Sequence, residues 1–159
     1  MNNHELESTL SMFAEDASLN FGPLGTIVGA AQIRGIHEYD VALETRVIFE
    51  DCQAKDQEVS CRAIETNEWL NQVDVDSIIF DETLFVFNSD RRIESISSTL
   101  SPESIEVMGA AIADFDAWAR SNRADEYSTL FSVDGEFLYN YQNGMKVLGL
   151  LRQWRAESG

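Results

Sequence analysis

Apolar and polar positions change period several times along the chain, and the changes lay out its elements. Leu6, Leu10 and Phe13 recur at helical spacing and predict a helix from His4 to Phe13, with Glu5 and Glu7 where a helix dipole favours acids. Glu15-Asp16 closes it, and Ala17 to Phe21 and Thr26 to Val28 read as two short strands around the turn Gly22-Pro23-Leu24-Gly25. Gly29 then opens a helix from Ala30 to about Leu43, with Ile33 and Ile36 facing inward. Thr45 to Asp51 is the next strand, and Cys52 to Glu58 is a polar turn.

The centre of the chain, Val59 to Leu100, predicts three antiparallel strands: VSCRAIETNEWL, SIIFDETLFVFN and RIESISSTL. In the middle strand both alternating sets, Ile79-Asp81-Thr83-Phe85-Phe87 and Ile78-Phe80-Glu82-Leu84-Val86, are mostly apolar and each contains one carboxylate. A strand apolar on both faces buries both, so the sheet is expected to be covered on one side and to enclose something on the other. Ser101 and Pro102 break the last strand and start a helix along which Met108, Ala111, Ile112, Phe115, Trp118 and Ala119 recur. Beyond Asn122, Phe131-Ser132-Val133-Asp134 echoes Phe13-Ala14-Glu15-Asp16, which leaves two readings of the tail. One is an extension of helix, hairpin (Glu136 to Tyr141, Lys146 to Leu148) and end helix. The other is that residues 104–122 supply a long helix missing from the N-terminus, in cis or by exchange with a second copy.

Composition narrows the function classes. A chain of 159 residues with 44% apolar content suits one folded domain. A net charge of −17 opposes nucleic acid and anionic membrane, because phosphate contacts need Lys and Arg. No apolar run reaches the roughly 20 residues that span a bilayer, and Met1 to Glu5 carries no basic leader, so a cytoplasmic location is expected. Cys52 and Cys61, the only cysteines, read as two reduced thiols, and with only His4 and His37 beside them neither a zinc set nor any other metal or cofactor is expected.

Three stretches, FAEDASLNF at 13–21, GAAQIRGI at 29–36 and FVFNSDRRIESI at 85–96, resemble in their order and spacing the nuclear transport factor 2-like superfamily. That superfamily holds SnoaL-like polyketide cyclases, ketosteroid isomerases and limonene epoxide hydrolases. The resemblance spans about residues 5 to 102. It implies an α+β fold in which a cone-shaped, curved antiparallel sheet wraps against helices around an apolar pocket, with dimers formed through the outer sheet face. Residues 1–102 would form the cone domain, and 103–159 a helix-hairpin-helix extension packed on it or completing it.

The superfamily's catalytic positions are poorly kept. The isomerase base falls on Phe21 and its oxyanion-hole Asp on Thr83, and the Tyr of the first helix has no counterpart at this N-terminus. The epoxide hydrolase Arg–Asp pair falls on Thr66 and Glu68, and the cyclase acid on the Ser97-Ser98-Thr99 region. With Phe85-Val86-Phe87-Asn88 aligned to the isomerase pattern, the resemblance implies that Glu68 and Asp81 face the cavity as a like-charge pair able to share a proton, with Phe21, Thr66, Thr83, Phe85, Ser98 and Leu100 as ligand-binding lining. A one-residue slip of register exchanges these for neighbours such as Glu65, Asn67 and Trp69. His37 joins the candidate lining if a carboxylate, Asp40 or Glu38, partners it. The expected function is binding of a small apolar or amphipathic molecule by a homodimer, with acid–base chemistry of the isomerase, cyclase or epoxide hydrolase kind. The alternative is a non-catalytic dimeric interaction module whose pocket its own side chains fill.

Overall fold

A computed structural model describes residues 3–22 and 25–158. The elements run α1 (Asn3–Leu10), β1 (Phe13–Asn20), β2 (Thr26–Val28), α2 (Ala30–Ala42), β3 (Arg46–Lys55), β4 (Glu58–Thr66), α3 (Glu68–Gln72), β5 (Ile78–Phe87), β6 (Ile93–Leu100), α4 (Pro102–Asn122), α5 (Ala124–Ser128) and α6 (Tyr141–Ser158). One six-stranded sheet has the order β2-β1-β6-β5-β4-β3. It is mixed, not antiparallel throughout, because β1 runs parallel to β6. The first helix ends three residues early and Phe13 opens β1, where it packs with Ala14, Ala17, Leu19, Ile27, Ile33 and Ile93. The middle of the 22–25 turn lies outside the described residues.

Bulges set which side chains face the helices. On β5 two residues, Asp81 and Glu82, lie opposite the single Arg62 of β4, so the phase of alternation flips there. Ile78 and Phe80 before the bulge, and Thr83, Phe85 and Phe87 after it, share one face with Ala63, Cys61 and Val59 of β4 and with Leu100, Ser98 and Ile96 of β6. Asp81 and Glu82 are left exposed. A second bulge lies on β3 at Asp51, whose φ is +52°, and a third on β6 near Glu94. Each extra residue bends its strand and sharpens the local twist.

The bulge at Asp51 turns Cys52 toward the same face as Cys61, and the two are joined in a disulfide with Cα atoms 4.1 Å apart. This corrects the expectation of two reduced thiols. Linear spacing places the pair in a turn and a strand, whereas β3 runs four residues further than its polar composition predicts, to Lys55, and brings them together.

The 103–159 segment enters the core. Phe115 and Ala119 of α4, Tyr127 of α5, Leu130, and Val147, Leu148, Leu150 and Leu151 of α6 pack with Phe80, Leu100, Ile78 and Ala63 of the sheet. Ser101 caps α4 by accepting from the Ser104 amide at 3.1 Å, with Pro102 in its first turn. The expected hairpin of the tail is absent among the described residues. Only a single bridge, Phe131 to Phe137, forms, and Lys146 to Leu148 lie inside α6. Helix packing overrides local pattern here, since Val147, Leu148, Leu150 and Leu151 fit one face of a helix as well as a strand. Two glycines allow the close fit. A Cβ on Gly144 would lie 2.6 Å from the Ala42 Cβ, and one on Gly35 only 2.4 Å from the Tyr139 carbonyl oxygen.

Candidate functional site

Three chain segments meet where α2 ends. After Ala42 the chain reverses through Leu43 and Glu44 (φ +55°), and the Leu43 carbonyl accepts from the Glu68 amide at 2.8 Å. That bond ties the start of α3 to the end of α2, and β4 delivers Glu65 into the same corner. Asn67 caps α3, its Oδ1 accepting from the Leu70 amide at 2.8 Å, while its Nδ2 donates to Glu65 Oε1 at 2.8 Å. Asp40, on the last turn of α2, accepts from the Thr45 hydroxyl at 3.4 Å.

Asp40 and Glu65 therefore form a carboxylate pair held only by neutral donors. None of the ion pairs among the described residues involves either one. Each keeps a minor share of accessible surface, but the protein crowded around them makes ionisation costly. Burial pushes Asp40 up to about 6, partly offset by the Thr45 hydrogen bond. Glu65 is pushed up to about 7, first by burial and then by the negative charge of Asp40, with the Asn67 hydrogen bond opposing. Both carboxyls are thus raised toward neutral pH, Glu65 further than Asp40, which favours a proton on Glu65 while Asp40 carries the charge.

Two phenols border the pair. Tyr39 and Tyr139 stand edge to face, ring centroids 5.4 Å apart, and Phe137 touches both. Burial holds both hydroxyls in their protonated form, aided at Tyr39 by Tyr139 and then Asp40 and at Tyr139 by Asp40. On the sheet side Glu65 pairs across the ladder with Val47 of β3, and Ala63 with Phe49. Val47 and Phe49 are 41% and 47% exposed on this helix-covered face, and Phe49 meets Phe85 edge-on at 5.4 Å. The acidic corner thus opens onto an apolar wall at the free edge of the sheet.

The structure separates the residues expected to form the site. Glu68 is not on a strand: it is the first residue of α3, half-buried, with its Oε1 accepting from Asn71 at 3.0 Å. Asp81 lies exposed on the bulge of β5, so the two do not form a desolvated pair. Thr66 pairs with Arg46 on the face opposite Glu65. Thr83, Phe85, Ser98 and Leu100 do share the helix-side face, where the Thr83 and Ser98 hydroxyls stand 3.3 Å apart. Phe21 packs at the other end of that face, against the β1–β2 cluster. His37 finds no carboxylate: its Nε2 is buried without a hydrogen-bond partner, its ring lies 5.6 Å from Phe13, and burial holds it neutral.

Two surface hollows lie apart from Asp40, Glu65, Glu68 and Asp81. One of about 420 Å³ is lined by Leu10, Phe13, Ile33, Arg34 and Arg92, among others. The second, about 440 Å³, sits between the hairpin tips at Asp56, Glu58, Phe87 and Arg91. No group of three or more His, Cys, Asp or Glu among the described residues could hold a metal ion. No helix among them is long and apolar enough to cross a membrane.

With this geometry in place, comparison with known proteins identifies the fold. No family model matches the sequence, and no curated protein matches it. Solved structures do. The epoxide hydrolase/cyclase-like enzyme SalBIII, described in pyran ring formation in the polyether salinomycin, superposes with a TM-score of 0.54 at 14% identity, over 62% of this chain and 80% of that one. A steroid delta-isomerase from Pseudomonas aeruginosa superposes with a TM-score of 0.51 at 13% identity over 73% and 82%. An NTF2-like protein of unknown function from Cytophaga hutchinsonii gives 0.51 at 13% identity over 66% and 83%. The protein has the nuclear transport factor 2-like fold, an α+β arrangement of a six-stranded mixed sheet packed against helices. Proteins of this fold include isomerases and cyclases, and identities this low carry the fold alone.

Asp40 and Glu65 were legible only in part. Glu65 is the neighbour that a one-residue slip on β4 brings inward, and Asp40 is the carboxylate considered beside His37. The missing signal was the Asn67 cap, which ends β4 at Thr66 and puts Glu68 on α3 instead of the strand.

Proposed function

We propose that the protein binds a small apolar or amphipathic molecule against the Val47–Phe49–Phe85 wall and carries out acid–base chemistry on it with Asp40 and Glu65. The observation that supports this reading is two crowded carboxylates on different elements, each held by a single neutral donor and no cation. A structural ion pair would place Arg or Lys there, and a solvated surface acid would not be crowded. Asp40 takes a proton from an activated carbon or hydroxyl, and protonated Glu65 gives one to a developing oxyanion or leaving oxygen, as isomerisation, cyclisation or epoxide opening requires. Two shifted carboxylates of unequal affinity give a bell-shaped rate profile centred between about 6 and 7.

A second reading has its own support. Much of the sheet's helix side is packed solid by Phe115, Leu130, Leu150 and Leu151, which favours a non-catalytic interaction module. Native mass spectrometry of the purified protein, followed by turnover assays on a lactone, epoxide and β,γ-unsaturated ketone panel, separates the two. The acid–base reading expects a releasable small molecule, and turnover lost in Asp40→Asn and in Glu65→Gln. No bound molecule and no turnover across the panel would favour the module.

A further inference from the structure

The free edge of the sheet is long and exposed. β3 is the last strand in the order, and all ten residues from Arg46 to Lys55 are exposed. Long edge strands are normally blunted by proline, charge, a bulge or a covering segment, and on β3 the acids Glu50 and Asp51, the bulge and Lys55 all lie beyond Phe49. Here Val47, Ile48 and Phe49 stand in a row at 41%, 59% and 47% exposure, and the first irregularity is the Asp51 bulge beyond them. Ile48 heads an apolar row on the outer face with Ile64 and Ile79, flanked along β3 by Arg46 and Glu50.

We infer that the occupant of this edge is a second copy of the same chain, paired antiparallel through β3 about a two-fold axis at Ile48. The argument is self-complementarity. That register places Arg46 opposite the partner's Glu50, Val47 opposite the partner's Phe49, and Ile48 opposite the partner's Ile48. Arg46 makes no ion pair within its own chain among the described residues, whereas Glu50 already holds Arg62 at 2.8 Å and would sit between two guanidinium groups. Moving the axis to Phe49 sets Ile48 against the partner's Glu50 and Val47 against the partner's Asp51. Centring it between Glu50 and Asp51 opposes like charges at the centre and at both ends, Arg46 against the partner's Lys55. Only the Ile48 register satisfies charge and apolar contacts together, and the pairing ends on each side at the bulge.

The association does not depend on the acid–base reading, but one consequence rests on it. Across the ladder Glu65 neighbours Val47, and in the paired edge Val47 neighbours the partner's Phe49. Each copy therefore extends the other's apolar wall to within two strand spacings, about 10 Å, of Glu65. This arrangement differs from packing through the outer sheet face, which the superfamily resemblance suggested.

Sedimentation velocity of the full chain over a concentration series tests it without substrate, so its failure is separable from failure of the acid–base chemistry. The expected result is a reversible dimer that Arg46→Glu weakens about tenfold or more, by replacing two attractions with two repulsions. The double change Arg46→Glu with Glu50→Arg restores association, because both partners exchange sign. Ile48→Lys should abolish the dimer while thermal melts show the fold intact, as expected at a position 59% exposed. A wild-type monomer at the highest concentration reached would overturn the inference. So would a dimer indifferent to Arg46→Glu and Ile48→Lys, which would mean packing through another surface.

Discussion

Toward Ile78 and Leu100 the helix-covered face of the sheet is closed by Phe115, Leu130, Leu150 and Leu151, with no ionisable side chain among its fully buried residues. Toward the β3 edge the same face carries Val47 and Phe49 half in solvent, with Asp40 and Glu65 in the corner behind them. The two halves share strands, yet one is filled by the chain's own C-terminal helices and the other is not. The difference teaches that the tail decides how much of the interior can serve a ligand. The space on this side of the sheet is largely filled by α4 and α6, and the Asp40–Glu65 corner lies at its margin.

The closed half should therefore behave as an ordinary core. Leu151 is fully buried, and Leu151→Ala removes its contacts and leaves a cavity among α6, α4 and the sheet. The expected loss is about 2–5 kcal/mol of unfolding free energy in urea. A loss well below 1 kcal/mol would mean that α6 is loosely docked, and the contrast between the halves would fail.

In the open half the expected response is to pH. The folded value of Glu65, about 7, lies above its ordinary 4.5, so the native state holds a proton that the unfolded chain has given up. Stability from this group is fully present below about 4.5 and falls as pH rises through about 7, and Asp40, raised from 3.8 to about 6, adds a loss in the same direction. Glu65→Gln should remove most of its share, stabilising the protein at pH 8 by about 2–3 kcal/mol while leaving it nearly unchanged at pH 4. Thermal melts across that range read it directly. Equal effects at both ends would place Glu65 in water and remove the acid of the proposed site.

The fold was largely legible from sequence and the site only partly, for a physical reason. Helix and strand periods survive small errors of placement, so β2, α2, β5, β6 and the start of α4 fall where the pattern put them. Side-chain direction on a strand does not survive them. One extra residue at Asp81 shifts the phase along β5, and Asn67 ends β4 early, so Glu65, and neither Glu68 nor Asp81, lies on the helix-side face. The disulfide was hidden by the same kind of event, the bulge at Asp51 that swings Cys52 onto the face of Cys61. Bulges leave little compositional trace.

The smallest expected effect marks where one half gives way to the other. Thr83 is 4% exposed and its hydroxyl lies 3.3 Å from that of Ser98, which is half-buried on the neighbouring strand. Thr83→Val keeps the shape and removes that partner. If the closed core reaches this far, Ser98 loses its hydrogen bond in a dry setting and stability falls by about 1 kcal/mol. If the open half begins here, water replaces the lost hydroxyl and the change is close to zero. The same substitution made beside Glu65→Gln then tells whether the solvent at Ser98 is continuous with the acidic corner: coupling between the two changes would join them into one cleft, and simple additivity would leave the carboxylate pair a separate niche at the sheet edge.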